Sequence, residues 1–365
     1  MRVLVVNAGS SSLKLRVLEP DDSLAAAHDL PAPRGRVDLA ALAKTIGEFK
    51  GVQAIGHRIV HGGTAFSGPV LIDAGIVERL RSLTDLAPLH QPKSLAAVDA
   101  VSALFPDVPA VACFDTAFHA TLPGAAATYA LPMEWRKRWN LRRYGFHGLS
   151  HAYASRRAAE ILGRSVREMR LVTCHLGAGA SLAAVQHGRS VDTTMGFTPL
   201  EGLVMATRSG SVDPGLVLWL EEHADMPPAE LATTLEHRSG LLGLAGTSDM
   251  REVLAKADRG DADAGLALEV YVHRLRAAVA SMTAAMAGVD AVVFTGGVGE
   301  RAPRVRQLVA NGLAFLGLNV DPEENAATSP SFDRDISEPN APVRTLVVAA
   351  REDLEIAREV RGVLG

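Results

Sequence analysis

Arg58 and Arg208 each sit in a stretch built largely of small or polar residues, His57-Arg58-Ile59-Val60-His61-Gly62-Gly63 and Ala206-Thr207-Arg208-Ser209-Gly210. A solvated face explains a guanidinium poorly in such a place, and its fork of donors suits a carboxylate or a phosphate. Asp115, in Cys113-Phe114-Asp115-Thr116, is an acid among apolar residues, readable as a turn cap or as a carboxylate in a dry site. Histidines gather in compact stretches: His57 and His61, His90, His119, His147 and His151, His175. A lone histidine is more often structural than catalytic. His147 and His151 are four residues apart with no Glu between them, and the spacing implies no third ligand, so zinc has little support.

Glycine is in excess, with 33 residues. Gly9, the pair Gly177/Gly179 and the set Gly296/Gly297/Gly299 each follow an apolar run. Backbone N–H groups in such turns can converge on phosphate oxygens. Each alone reads as an ordinary tight turn, whereas three in one chain point to a nucleotide. None fits Gly-x-x-x-x-Gly-Lys-Ser/Thr, and Gly-Gly-Val-Gly-Glu lacks the dinucleotide spacing.

The elements that must position these groups alternate between strands and helices, an α/β pattern. Residues 3–6 read as a buried strand, 7–12 as a polar turn and 13–18 as a half-buried strand. The same strand, Gly turn and strand recur over 171–185, which suggests an internal duplication. Helices are expected over 93–104, over 150–162 with Ser150 as N-cap, over 265–286 and over 352–363. Strands are expected over 291–295, running into a Gly turn, and over 345–349. Residues 320–342, rich in Asp, Asn, Ser and Pro, read as a surface loop.

A chain of 365 residues suggests two domains, perhaps three. With 37 Lys and Arg against 41 Asp and Glu, the net charge is -4, which argues against a nucleic-acid partner. Two cysteines, Cys113 and Cys174, make no disulfide framework. The N-terminal run lacks the apolar region of a signal peptide, and the charge-free stretches are broken by Gly, His and Gln. A cytoplasmic protein with no membrane partner is expected.

Several segments closely resemble the acetate kinase family. They are Val6-Asn7-Ala8-Gly9-Ser10-Ser11-Ser12-Leu13-Lys14, residues 56–63, Leu86-Ala-Pro-Leu-His90, Phe114-Asp-Thr-Ala-Phe-His119, Tyr144-Gly-Phe-His-Gly148, Met195-Gly-Phe-Thr-Pro-Leu-Glu-Gly202, Thr207-Arg-Ser-Gly210 and Phe294-Thr-Gly-Gly-Val-Gly-Glu300. They run in the family's order along nearly the whole chain. The resemblance implies two duplicated actin-like (ribonuclease H-like) ATPase domains with an interdomain nucleotide cleft. The domains would be 1–119 plus 354–365 and 120–353, with the C-terminal helix returning to the first.

The resemblance also implies transfer of the γ-phosphoryl of ATP to acetate, giving acetyl phosphate and ADP. It assigns Arg58 to the acetate carboxylate, with Val60, Leu89, Phe146 and Pro199 around the methyl. His147 and Arg208 would stabilise the phosphoryl in flight, and Asp115 would hold the geometry of Arg58 or a metal-bound water. Asn7 and Glu352 would position Mg²⁺, or Mn²⁺ in its place. Lys14, the turn His175, Leu176, Gly177, Ala178 and Gly179, the segment Asp249, Met250 and Arg251, and the turn Gly297, Val298, Gly299, Glu300 and Arg301 would line the nucleotide. A homodimer is implied as well.

Ala178, Arg301 and Arg351 stand where the family usually has Asn, and Leu149 stands for Thr. The alternatives are a propionate or butyrate kinase or a pyrophosphate-dependent kinase of the same family, or a non-enzymatic actin- or Hsp70-like ATP-binding module. The last class lacks the set Arg58, Asp115, His147 and Arg208.

Overall fold

The computed structural model describes residues 1–9, 12–31, 39–87, 91–327 and 333–365. They form two compact units, Met1–Ala120 with Phe146–Tyr153 and Arg351–Gly365, and Thr121–Gly145 with Ala154–Ala350. The division differs from the expected boundaries chiefly at Phe146–Tyr153, which packs with the first unit.

In the first unit, β1 (Val3–Ala8), β2 (Ser12–Leu18) and β3 (Leu24–Pro31) form an antiparallel meander. Next come β4 (Ala54–Ile59), β5 (Val70–Leu71) and β6 (Ala110–Phe114), giving a six-stranded sheet of order β3-β2-β1-β4-β6-β5. β1, β4 and β6 are parallel neighbours. The run Val3 to Val6 is apolar throughout because both faces of β1 are covered, as parallel strands require. Leu4 and Val6 pack with Leu42, Ile46 and Val101 on one face, while Val3 and Val5 pack with Ile356, Ala357 and Val360 on the other. The last three belong to the C-terminal helix Glu352–Leu364.

The second unit repeats this plan. Its strands are β7 (Arg170–Leu176), β8 (Ala180–Gln186), β9 (Arg189–Thr193), β10 (Ala291–Thr295), β11 (Arg334–Asp335) and β12 (Arg344–Val347). Their order β11-β12-β10-β7-β8-β9, read from β9, matches the first sheet strand for strand. The helix Ala262–Ala285 carries buried Leu268, Tyr271, Leu275, Val279 and Met282 at three- and four-residue spacing, one stripe of a 3.6-residue period. Asp261 caps its start by accepting from the Ala264 N–H.

Three local expectations fail. Ser150 is no N-cap, because the helix Gly148–Ile161 begins two residues earlier and Ser150 is buried inside it. His147, just before it, takes a left-handed φ of 58° and turns the chain into the helix. The glycines after β10 form the first turn of a helix, Gly296–Arg301, rather than an open turn. Within 320–342, Asp321 caps a short helix, Pro322–Ala326, and β11 follows, so this stretch is not loop throughout; residues 328–332 lie outside the described ones.

Candidate active site

In the first unit the candidate residues gather at the carboxyl ends of the parallel strands, where α/β sheets usually bind ligands. Asn7 is near the end of β1, Arg58 near the end of β4, and Asp115 follows β6 directly. Arg58 and Asp115 make a two-pronged pair, Nε to Oδ1 at 2.9 Å and Nη2 to Oδ2 at 2.6 Å. Arg58 Nη1 also donates to Asn7 Oδ1 at 3.0 Å, and Asn7 Nδ2 donates to Glu352 Oε2 at 2.8 Å. Glu352, the first residue of the C-terminal helix, lies 3.8 Å from Arg58 Nη1.

Asp115 is only 1% exposed. Burial pushes its carboxyl up, against the pull of Arg58, and Glu352 adds to the rise. For Arg58 burial opposes the charge, but Asp115 and Glu352 outweigh it and raise the guanidinium. The pair therefore fixes a charged arginine at the strand ends.

Gly148 lets the next element come close: a Cβ there would overlap the Asp115 carbonyl, to which the Gly148 N–H donates at 2.8 Å. That contact brings Phe146 and His147 into the same unit. The Phe146 carbonyl is 3.0 Å from His119 Nε2, and its ring meets His61 edge-on at 5.5 Å. Val60 and Phe146 are both buried. Leu89 lies outside the described residues. Lys14 is exposed on β2, opposite Asn7 in the strand register.

The second unit holds the remaining candidates: the segments 175–179 and 297–301 lie at the ends of the parallel strands β7 and β10, Asp249–Arg251 at the start of a helix, and Pro199 and Arg208 in loops. Ala178 is exposed at the tip of the 177–179 turn, and its carbonyl accepts from the Ala206 N–H at 3.1 Å. The Leu176 side chain is fully buried, so this residue can offer a ligand only backbone. Glu300 turns back on its own helix, accepting from the N–H groups of Gly296 and Ala350 at 3.1 and 2.9 Å. Asp249 caps the helix Met250–Asp258 and pairs with the exposed Arg251, whose hydrogen bonds hold its carboxyl below the usual range. Met250 is buried, facing the packing of its own helix.

Arg208 donates to the Pro199 carbonyl at 3.0 Å and lies 3.5 Å from Met205 Sδ. It makes no ion pair among the described residues; burial lowers its guanidinium, against a smaller opposing pull from Glu236. A half-buried cation with no carboxylate in direct contact is suited to an anion from outside.

Two of the departures from the family pattern change meaning here. Leu149 is 1% exposed and packs with Val3, Val5 and Ile356, so it fills core. Arg351 pairs with Asp353 at 2.9 Å, which offsets the charge that replaces the family's asparagine.

Residues 36–358 match the model of the Acetokinase family. The chain belongs to the acetokinase family. An acetate kinase of Trichormus variabilis is 41% identical over 401 residues, covering 98% of each chain. The crystal structure of Porphyromonas gingivalis acetate kinase superposes with a TM-score of 0.91 at 35% identity, over 100% of both chains. A propionate kinase from Francisella tularensis does so with a TM-score of 0.91 at 37% identity, again over 100% of both. The two repeated six-stranded sheets are thus those of the actin-like ATPase fold that these kinases share.

The sequence did not single out Arg143, Tyr129 or Glu201 as a group, although Glu201 stands in a quoted segment. Their spacing carries no periodic signal, and only tertiary contact joins them.

Proposed function

We propose that this protein transfers the γ-phosphoryl group of ATP to acetate, reversibly, giving acetyl phosphate and ADP. The supporting observation is the contrast between its two arginines: Arg58 is braced by Asp115, and Arg208 makes no ion pair among the described residues. A carboxylate is already an anionic nucleophile, so no strong base is needed. The difficulty is to hold two anions together and to offset the charge on the moving phosphoryl.

Arg58 binds the acetate carboxylate, oriented by Asp115. The family resemblance assigns Val60, Leu89, Phe146 and Pro199 to the methyl. An acetate oxygen bonds to the γ-phosphorus as the bond to the β,γ-bridging oxygen breaks, and ADP leaves with that electron pair. His147 and Arg208 offset charge on the equatorial oxygens. Lys14 and the backbone of the turns at 175–179, 249–251 and 297–301 line the nucleotide.

The oxygens of Glu352 and Asn7 are hard donors, the kind that suits Mg²⁺ or Mn²⁺ with water and phosphate completing the shell. Among the described residues no cluster of three or more His, Cys, Asp or Glu offers a caged metal site instead. When bound, the ion neutralises phosphate charge.

A hydroxamate assay of acyl phosphate, run with acetate, propionate and butyrate and with ATP, GTP and pyrophosphate, tests this reading. Acetate with ATP should turn over best and propionate less well, since a methylene is worth only about 1–3 kcal/mol. Faster turnover of propionate would make it a propionate kinase, and preference for pyrophosphate would overturn the donor. No acyl phosphate from any pair would sink the reading.

We also infer a cytoplasmic homodimer. Among the described residues no helix is long and apolar enough to cross a membrane. The helix Pro214–His223 exposes Leu216, Leu218 and Trp219 by 48%, 58% and 53%, an apolar face suited to a second copy. Sedimentation as a monomer at assay concentrations would count against the dimer.

A further inference from the structure

The loop 194–201 of the second unit carries Pro199 and is fastened at several points to the segment 129–145. Arg143 Nη1 donates to the carbonyls of Thr194 and Met195, both at 3.1 Å, and Nη2 donates to Glu201 Oε1 at 2.7 Å. The Tyr129 hydroxyl donates to Glu201 Oε2 at 2.5 Å and accepts from the Phe197 N–H at 2.8 Å. The N–H groups of Tyr144 and Gly145 reach the Gly196 carbonyl at 3.1 and 3.3 Å. The Arg143 guanidinium also lies over the Tyr129 ring, 5.5 Å from its centroid. A Cβ on Gly196 would overlap both the Glu201 carboxylate and the Tyr129 hydroxyl, so the loop can fold around that carboxylate only with glycine there.

The far end of this assembly is Arg208, whose Nη1 is held at 3.0 Å by the Pro199 carbonyl. Both oxygens of Glu201 have a donor, one from each flanking side chain, so the carboxylate ties the start of the loop to its end. Fully exposed ion pairs contribute little. This one is 17% and 35% exposed at Arg143 and Glu201, and it belongs to a connected network.

We propose that Glu201 is a positioning residue for phosphoryl transfer: clamped by Arg143 and Tyr129, it fixes the 194–201 loop so that the Pro199 carbonyl aims Arg208. The proposal rests on the role given to Arg208 above. Glu201 itself touches neither substrate. Its effect is geometric, and a misplacement of about 1 Å can cost on the order of 100-fold in rate.

Glu201→Gln keeps the shape of the side chain and removes its charge. Two readouts separate positioning from stability alone. In the folded variant kcat should fall about tenfold or more, while the KM for ATP stays within about twofold. Amide exchange at Phe197 should speed up in the ligand-free protein. Tyr129→Phe keeps the Arg143 contact and should shift both readouts in the same direction by less. A lower Tm with kcat unchanged would overturn the proposal, and if Glu201→Gln does not fold, an unchanged Tyr129→Phe would overturn it too. A wild-type protein that makes no acyl phosphate overturns the functional reading with it. An active wild type with an indifferent Glu201→Gln overturns the positioning role alone.

Discussion

Asp115 grips Arg58 along a whole edge of its guanidinium, with contacts of 2.9 and 2.6 Å, and leaves Nη1 to Asn7. Among the described residues, the Arg208 guanidinium hydrogen-bonds only a carbonyl and a sulfur. Removing each arginine should therefore fail in a different way. Arg58→Ala and Arg208→Ala should both lower kcat by roughly 100- to 1000-fold, the scale of one lost charge-stabilising donor. Arg58→Ala should also lower stability by about 3–5 kcal/mol, because it strands the buried Asp115. Arg208→Ala strands no acid and should unfold in urea near the wild-type midpoint. Equal midpoints for the two variants would contradict the brace.

Four histidines are buried in the first unit, and three of them, His57, His61 and His119, are held below their usual range. Burial holds His57 down at about 3, and His61 and His119 at about 4. Neither ring nitrogen of His57 has a hydrogen-bond partner. The unfolded chain takes up these protons near pH 6.5 and the fold does not, so stability is full above that pH and falls as the pH drops toward 4. At pH 5 the loss is about 2 kcal/mol for each histidine. Urea midpoints at pH 7.5 and 5 measure it, and His57→Leu should flatten the difference. An unchanged slope in that variant would show that His57 titrates normally.

Glu352, proposed to hold a divalent ion, is hydrogen-bonded to Asn7 and lies 3.8 Å from Arg58. Chelation with EDTA should abolish turnover. Glu352→Gln should raise the half-saturating Mg²⁺ concentration by about tenfold or more, since a ligand carboxylate is lost. A Mg²⁺ titration of initial rates decides this, and an unshifted titration would remove Glu352 from the metal site.

The two arginines that stand for asparagine on the donor side differ in exposure. Arg351 is partly buried and pairs with Asp353, whereas Arg301 is exposed at the end of the helix Gly296–Arg301. Exposed charges are screened over a Debye length of about 8 Å. Arg301→Asn should therefore flatten the rise of the ATP KM with added KCl, and Arg351→Asn should change it little. Ala178→Asn, at the exposed turn, should lower that KM by restoring a side-chain donor. Equal effects of the two arginine variants would mean that the Asp353 pair does not form in solution.

Part of the candidate site was legible in the residues. Arg58, Arg208 and Asp115 stood out because their chemistry clashed with their small or apolar neighbours. The glycines after β7 and β10 marked strand ends, and the repeat at 171–185 announced the second sheet. Local pattern was less reliable at element starts: the sequence favoured Ser150 as a cap, but the chain turns at His147 because Gly148 must approach Asp115.

By itself the sequence determined the α/β class, the duplication and the residues with unusual chemistry, because alternation, turn composition and residue type are local properties. Only the tertiary structure decided what those residues are tied to. Asp115 braces Arg58 across 57 positions, and Glu352 meets Asn7 across 345. Arg351 is offset by Asp353, Leu149 fills core, and Glu201 becomes the knot of its loop. Each of these depends on which side chains packing brings within about 3 Å. Distance along the chain says nothing about that until strands and helices are in register.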